Sequence, residues 1–277
     1  MVRKQHSLVC GRLNTVLEVA RVSLCLIFFL YASWSDYKTR EVSNTVWMVF
    51  APLALVLTSV QVLAFSRESL NTFVLSFVLT AVLSIVLFYA GAFGGADAKA
   101  LICLALALPL YPSVIQPLFG LISPIFPITV FTNAVLLAVV SVFYSIARNC
   151  LWRLRTGKRL FEGLEDASRG RKMLTFLCGY KIDITELEKA EHSYPLEDIS
   201  TTDTGEPKRR LLVFPKDEER TEIINRISKA AKEGKLPKEI WITPGLPMLI
   251  FITVGLIVAL FLGDILWIIL GSALSYA

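Results

Sequence analysis

The sequence contains few of the residues that usually bind metals. It has five cysteines, none of them spaced as C-x-x-C, and only two histidines in 277 residues. Structural zinc sites are built from cysteines and histidines at such short spacings. The sequence therefore predicts no metal site, no cofactor and no zinc-stabilised domain.

Acidic residues are also scarce outside one polar segment. Residues 148–245 hold 17 of the 23 acidic and 20 of the 28 basic residues. The remainder of the chain has only six acidic residues, which are Glu18, Asp36, Glu41, Glu68, Asp97 and Asp264. With 55% hydrophobic residues, the chain exceeds the roughly 45–50% of soluble domains. We therefore expect an integral membrane protein.

The net charge of +5 favours partners with negative charge. Because a basic run at residues 148–159 directly follows an apolar segment, the charge suits an anionic lipid surface. The sequence has no aromatic and basic pattern of an RNA-binding sheet. We expect membrane lipids, and no nucleic acid, as partners.

Long apolar segments predict six transmembrane helices, since a span needs about 20 apolar residues. The predicted spans are residues 16–35, 45–64, 70–93, a short one from 98, 125–147 and 246–270. The first span is expected to be retained, not cleaved as a signal peptide. The expected fold is an all-α membrane protein with domains at 1–147, 148–245 and 246–277, the middle one a cytoplasmic soluble segment.

That polar segment contains weaker local signals. Residues 210–214 resemble a strand, residues 217–232 an amphipathic helix, and residues 201–207 a flexible loop.

Basic residues in the loops indicate the orientation. Lys38 and Arg40 follow the first span, Lys99 follows the third, and the basic run follows the fifth. The positive-inside rule then places these loops in the cytoplasm and both termini outside, although basic residues at the N-terminus favour the opposite orientation.

Asp36 and Asp97 each follow an apolar segment and, in this topology, reach the same membrane face. An ionised carboxylate in hydrocarbon costs about 2.5–3.5 kcal/mol, which makes such residues candidates for function. Two close carboxylates share a proton and can hydrolyse a peptide bond without metal. Gly91, Gly94 and Gly95 leave space beside Asp97 for a second chain.

Four segments resemble a known protease family. Residues 94–99, with Gly94, Gly95, Ala96, Asp97 and Lys99, are similar to the signature of the GxGD membrane aspartyl proteases. Residues 33–44 resemble the segment with the first aspartate of type IV prepilin peptidases. Residues 126–133 and 241–247 resemble the archaeal branch, the preflagellin (prearchaellin) peptidases.

The resemblance implies an endopeptidase that removes short basic leaders from preflagellin and pilin-like precursors at the cytoplasmic membrane face. It implies Asp36 and Asp97 as the catalytic residues, with Gly94, Gly95, Ala96 and Lys99 as motif or supporting residues. Relatives that also methylate the new N-terminus carry paired C-x-x-C motifs, so cleavage without methylation is expected here.

Two other functions remain open at this point. The membrane carboxylates would also suit a proton-coupled small transporter, and the polar segment would suit an assembly scaffold. We further expect Glu18 to pair with Arg21, and Asp264 and Trp241 to lie at membrane interfaces.

Overall fold

A computed structural model describes residues 2–120, 123–187, 193–201, 207–212, 220–233, 238–245 and 247–275. The chain divides into two units, Met1–Ala138 with Pro247–Ala277, and Val139–Leu246. The helices are α1 (Val2–Thr39), α2 (Asn44–Phe65), α3 (Leu70–Tyr89), α4 (Gly95–Ala107), α5 (Phe126–Thr156), α6 (Arg169–Cys178), α7 (Ile184–Leu187), α8 (Arg220–Lys232), α9 (Met248–Phe261) and α10 (Ile265–Ser275). The strands are β1 (Tyr180–Asp183), β2 (Ser193–Pro195), β3 (Glu197–Thr201), β4 (Pro207–Leu211) and β5 (Glu239–Pro244).

Four of the predicted spans coincide with helices that are long and apolar enough to cross a membrane. They are Gly11–Thr39 within α1, α2, α3 with the 3-10 turn before it, and α5. The exposed side chains of these helices are largely aliphatic and aromatic, as expected where a surface faces lipid. The protein is therefore a multi-pass membrane protein.

The fourth predicted span is a half-length helix. At 13 residues, α4 is about 20 Å long, shorter than the roughly 30 Å of a hydrocarbon core. Most of its residues are buried between neighbouring helices. Among the described residues, four spans, or five if a bent helix pair counts as one, meet the criteria, so six are not confirmed.

The bent pair is the sixth predicted span, and the expectation of one continuous helix is wrong. Helices α9 and α10 meet at 59°, with Gly263 between them at a φ of +102°. Asp264 accepts hydrogen bonds from the Trp267 N–H and from Thr129 of α5, and is only 3% exposed. Asn133 of α5 bonds the freed backbone on both sides of the bend. Asp264 thus caps α10 from within the protein, a role that the sequence did not predict.

Polar side chains hold the C-terminal end of α4. Arg21 Nε donates a 2.7 Å hydrogen bond to the Ala107 carbonyl, which also accepts one from Thr58. Arg21 also donates to the side-chain oxygen of Gln61, whose amide donates to Glu18 over 3.1 Å. The predicted contact between Glu18 and Arg21 is therefore bridged by Gln61. These bonds satisfy carbonyls that a helix end leaves unpaired.

The second unit contains two small sheets, so the all-α prediction is wrong for the polar segment. Antiparallel strands in the order β1-β5-β2 form one sheet, and β3 pairs with β4 in the other. Strand β5 does not show the regular alternation of buried and exposed residues that is typical of a surface strand, because three successive residues, 240–242, are buried. Trp241 is fully buried among them, not at a membrane interface as predicted.

Helix α8 confirms the predicted amphipathic helix in its described part. Its apolar stripe of Ile223, Ile224 and Ile227 is buried in a cluster with residues of β1 and β5. The predicted strand at 210–214 overlaps β4, while residues 202–206 and 213–219 lie outside the described residues.

Candidate active site

Asp36 lies in the last turn of α1, where the chain reverses. Arg40 ends the helix with a φ of +57°, and its N–H donates to the Asp36 carbonyl over 2.9 Å. The hydroxyls of Ser35 and Thr39 both donate to the Glu41 carbonyl, at 2.8 and 3.0 Å. These bonds fix the loop that leads to α2.

Asp97 lies in the first turn of α4, after a tight exit from α3. Gly91 has a φ of +72°, and the N–H groups of Gly91 and Ala92 bond back to Phe88 and Leu87. This pairing closes a helix end with a left-handed residue, a conformation that glycine adopts at little cost. Helix α4 begins at Gly95, so Asp97 lies at the N-terminal end of a helix.

The backbone before Asp97 holds its carboxylate. The Gly94 N–H donates a 3.0 Å hydrogen bond to Asp97 Oδ2. A Cβ on Gly94 would lie 3.2 Å from the same oxygen, whereas one on Gly95 would meet only Phe88, at 3.8 Å. Glycine at position 94 therefore leaves room for the carboxylate, while position 95 would accept a methyl group.

One hydrogen bond ties the beginning of α4 to the beginning of α2. Lys99 Nζ donates to Asn44 Oδ1 over 2.6 Å. Since Asn44 follows the loop that ends α1, this bond places Asp97 at the same end of the bundle as Asp36.

The surroundings of Asp36 contain unused hydrogen-bonding groups. Both aspartates are partly buried. Among the described residues, nothing pairs with the buried atoms Asp36 Oδ2, Arg40 Nε and Trp47 Nε1. The positive charge of Arg40 acts on the Asp36 carboxylate. Unpaired buried polar atoms are rare in folded proteins and are often found where a ligand binds.

All the residues predicted for the site lie in this region. Asp36, Asp97, Gly94 and Gly95 have the contacts described above, and Ala96 packs against the core of the bundle. Sequence reasoning did not single out Asn44 or Trp47. Asn44 belonged to the quoted motif at 33–44, but only the fold shows that it bonds Lys99.

Metal ligands do not cluster in the described part of the chain. No three residues of histidine, cysteine, aspartate and glutamate come close enough there to hold an ion.

The comparisons with known proteins agree on a family. The sequence model of the type IV leader peptidase family matches residues 23–142, and that of the type II C-terminal region of archaeal A24 peptidases matches residues 171–265. The chain belongs to the type IV leader peptidase family. The first match contains both Asp36 and Asp97. The second contains the sheets and α9.

Curated relatives are similar over most of their length. The preflagellin peptidase of Methanococcus voltae is 28% identical over 247 residues, covering 86% of this chain and 93% of the relative. Those of Methanococcus maripaludis and Methanocaldococcus jannaschii are 26% and 25% identical, covering 85% and 86% of this chain and 91% and 92% of theirs. Family membership makes this protein a membrane protease.

Proposed function

We propose that this protein is an aspartyl endopeptidase that removes the short basic leader from preflagellin and pilin-like precursors. The observation that supports this most strongly is that Asp36 and Asp97 lie at the same end of the bundle, with an unpaired buried oxygen on Asp36. Two of the relatives are preflagellin peptidases, which suggests the substrate class.

The chemistry follows from two carboxyl groups that share a proton. One ionised carboxylate takes a proton from water as that water attacks the scissile carbonyl carbon, and the protonated partner donates to the carbonyl oxygen. The tetrahedral intermediate then collapses, the C–N bond breaks, and the leaving nitrogen takes up a proton. Because the titration belongs to the pair, neither role is assigned to one residue.

The protein environment supports this mechanism in two ways. Asp36 Oδ2 has no hydrogen-bond partner among the described residues, so this oxygen is not committed to another group of the protein. The Gly94 N–H fixes Asp97 Oδ2, which keeps the second carboxyl group oriented. Holding a catalytic group in a fixed orientation in this way lowers the entropic part of the activation barrier.

Loop charges support a cytoplasmic site. Lys38, Arg40 and Lys99 lie at the same end of the bundle as the aspartates, as the positive-inside rule requires of a cytoplasmic face. In this proposal both termini lie outside. The absence of C-x-x-C motifs from the sequence supports cleavage without N-methylation.

The test is a reaction of the purified full chain with a precursor that has a basic leader followed by an apolar helix. Intact mass of the product is expected to show loss of the leader, a single new N-terminus and no added methyl group. An unchanged precursor mass, with the relatives active under the same conditions, would overturn the proposal. Cleavage that an excess of chelator abolishes would contradict the metal-free mechanism.

A further inference from the structure

The strongest unassigned feature is a groove beside the C-terminal part of α5, within the second unit. It has a volume of about 570 Å³, and Tyr144, Arg148, Trp152, Arg155 and Lys181 are among the residues that line it. Among the described residues that line this groove there is no aspartate or glutamate. Nothing in the proposed peptidase mechanism uses these residues.

The length of α5 places the groove near the membrane surface. The helix has 31 residues and is about 46 Å long, whereas about 20 residues cross the hydrocarbon core. Residues after about 145 therefore emerge through the headgroup layer. The exposed apolar surface nevertheless continues past this point, from Phe143 at 65% exposure to Leu151 at 51% and Leu154 at 81%.

Aromatic rings hold two of the three cations in place. The Arg148 guanidinium lies 3.8 Å from the ring centroid of Tyr180 and donates a 3.1 Å hydrogen bond to the Tyr144 hydroxyl. The Lys181 ammonium lies 4.1 Å from the ring centroid of Trp152. Trp152 is itself fixed, since its indole N–H donates to Glu239 over 2.9 Å. These contacts orient the cations without neutralising them.

The three cations have no direct counter-ion among the residues that the structure describes. In the described part of the chain, no carboxylate lies within 4.0 Å of the charged nitrogens of Arg148, Arg155 or Lys181. Burial lowers the pKa of Lys181, while the more distant charges of Glu197, Glu239 and Glu162 oppose that change. An anion in the groove would restore the stabilisation that the Lys181 ammonium loses when water is excluded.

From this geometry we propose that the groove binds the headgroup phosphate of an anionic membrane lipid. The phosphate would contact Arg148, Arg155 and Lys181, and an acyl chain would lie along the exposed apolar side of α5, at Phe143 and Leu151. Guanidinium groups suit phosphate because they offer paired N–H donors in one plane. The adjoining apolar surface selects a lipid over free phosphate.

The experiment titrates the purified full chain, in a neutral detergent, with phosphatidylglycerol and with phosphatidylcholine, and counts bound lipids by native mass spectrometry. The native protein is expected to bind the anionic lipid at least about tenfold more tightly than the zwitterionic one. Arg155→Gln and Lys181→Gln should each weaken phosphatidylglycerol binding about fivefold, and Arg148→Gln in addition should abolish the preference.

Arg153→Gln is the matched control, because Arg153 is exposed on the same helix but does not line the groove. It removes the same charge and should leave binding within about twofold of native. Equal losses in Arg153→Gln and Arg155→Gln would show a diffuse surface effect and overturn the proposal. Displacement of phosphatidylglycerol by equimolar inorganic phosphate, or by an acidic peptide, would also overturn it.

Arg155→Gln keeps the test independent of folding, because the Arg155 side chain is exposed and has no hydrogen bond or ion pair among the described residues. If the triple variant loses its native mass distribution, the single variants decide. A single variant that folds and keeps full preference for phosphatidylglycerol contradicts the proposal.

Discussion

The Gly94 N–H donates a 3.0 Å hydrogen bond to Asp97 Oδ2, and the missing side chain of Gly94 is what leaves room for that oxygen. Gly95, next in the chain, has no such contact. The two glycines of the motif therefore have different functions, although the sequence presents them as equivalent.

Alanine substitutions separate the two positions. Gly94→Ala places a Cβ 3.2 Å from Asp97 Oδ2 and must displace the carboxylate by a few tenths of an ångström. We expect precursor cleavage to fall about tenfold, since small misplacements of catalytic groups are costly. Gly95→Ala makes only an ordinary 3.8 Å contact and should cleave within about twofold of native. Initial rates of cleavage measure both. Equal loss in the two variants would contradict this assignment.

The bond between Lys99 and Asn44 is a positioning contact that a double-mutant cycle tests. Lys99→Gln or Asn44→Ala should lower the cleavage rate about fivefold, because α4 loses its tie to α2 near Asp97. The double variant should lose little more than the stronger single variant, since both remove one contact.

Lys38→Gln is the control for that cycle. Lys38 lies at the same end of the bundle, over the ring of Trp34. Its substitution by glutamine removes the same charge without changing a residue that bonds α4. It should not be coupled to Asn44→Ala. If the effects of Lys99→Gln and Asn44→Ala simply multiply, the bond does not position the site.

Gly255 should matter for stability because α9 and α5 approach closely there. A Cβ on Gly255 would lie 2.7 Å from the Val130 carbonyl oxygen and 2.9 Å from the Ala134 nitrogen, both of them backbone atoms. Gly255→Ala is expected to reduce the free energy of unfolding by about 1–3 kcal/mol. Thermal unfolding in detergent measures the change.

Gly271→Ala provides the comparison. Gly271 is also helical, and a Cβ there would meet nothing within 4 Å. Alanine favours helix over glycine by up to about 1 kcal/mol, so this variant should be neutral or slightly more stable. A Gly255→Ala protein as stable as Gly271→Ala would show that the helices can separate without cost.

Asp198 joins three elements of the second unit and gives it a pH dependence. It pairs with Arg210 of β4 at 2.8 Å and Arg226 of α8 at 3.0 Å, and accepts the Ile199 N–H. Burial alone would raise the pKa of Asp198, but these hydrogen bonds outweigh it and hold the pKa below its ordinary value near 3.8. The stabilisation is therefore present above the ordinary value and is lost as the pH falls through the lower folded value.

Asp198→Asn should speed amide hydrogen exchange in β3, β4 and α8 at neutral pH. The expected loss is about 1–2 kcal/mol, since both arginines are half exposed and screened. The difference from the native protein, measured at matched pH, should shrink below about pH 3.8. Glu222→Gln, at a side chain that is 75% exposed, should change little. A difference that does not vary with pH would exclude the ion pairs as its cause.

The sequence was most informative about the site and the long helices. Asp36 and Asp97 stood out because charge is expensive beside hydrocarbon, and loop charges indicated a common face. The sequence predicted a short fourth span, but it could not show that Arg21 and Thr58 from other helices bond the end of α4. The bend at Gly263 likewise depends on α5, because Asn133 bonds the freed backbone and Thr129 donates to the Asp264 carboxylate.

The polar segment was harder to predict because its strands are short and become stable only together. The sequence of strand β5 resembles the segment just before a membrane span, with Trp241 predicted as an anchor at the membrane interface. In the fold, Trp241 stacks on Phe161 and its indole N–H donates to the Leu160 carbonyl. The sequence around Trp241 does not predict these contacts, because both partners come from a distant part of the chain.

The most direct test of the proposed mechanism changes each aspartate to the isosteric amide. Asp36→Asn and Asp97→Asn should each abolish removal of the leader from a precursor while the protein still inserts in membranes, because neither amide can share the proton. Glu68→Gln, the same chemical change at an exposed residue in the turn before α3, should cleave as the native protein does. Cleavage by either asparagine variant at a rate close to that of Glu68→Gln would contradict the account.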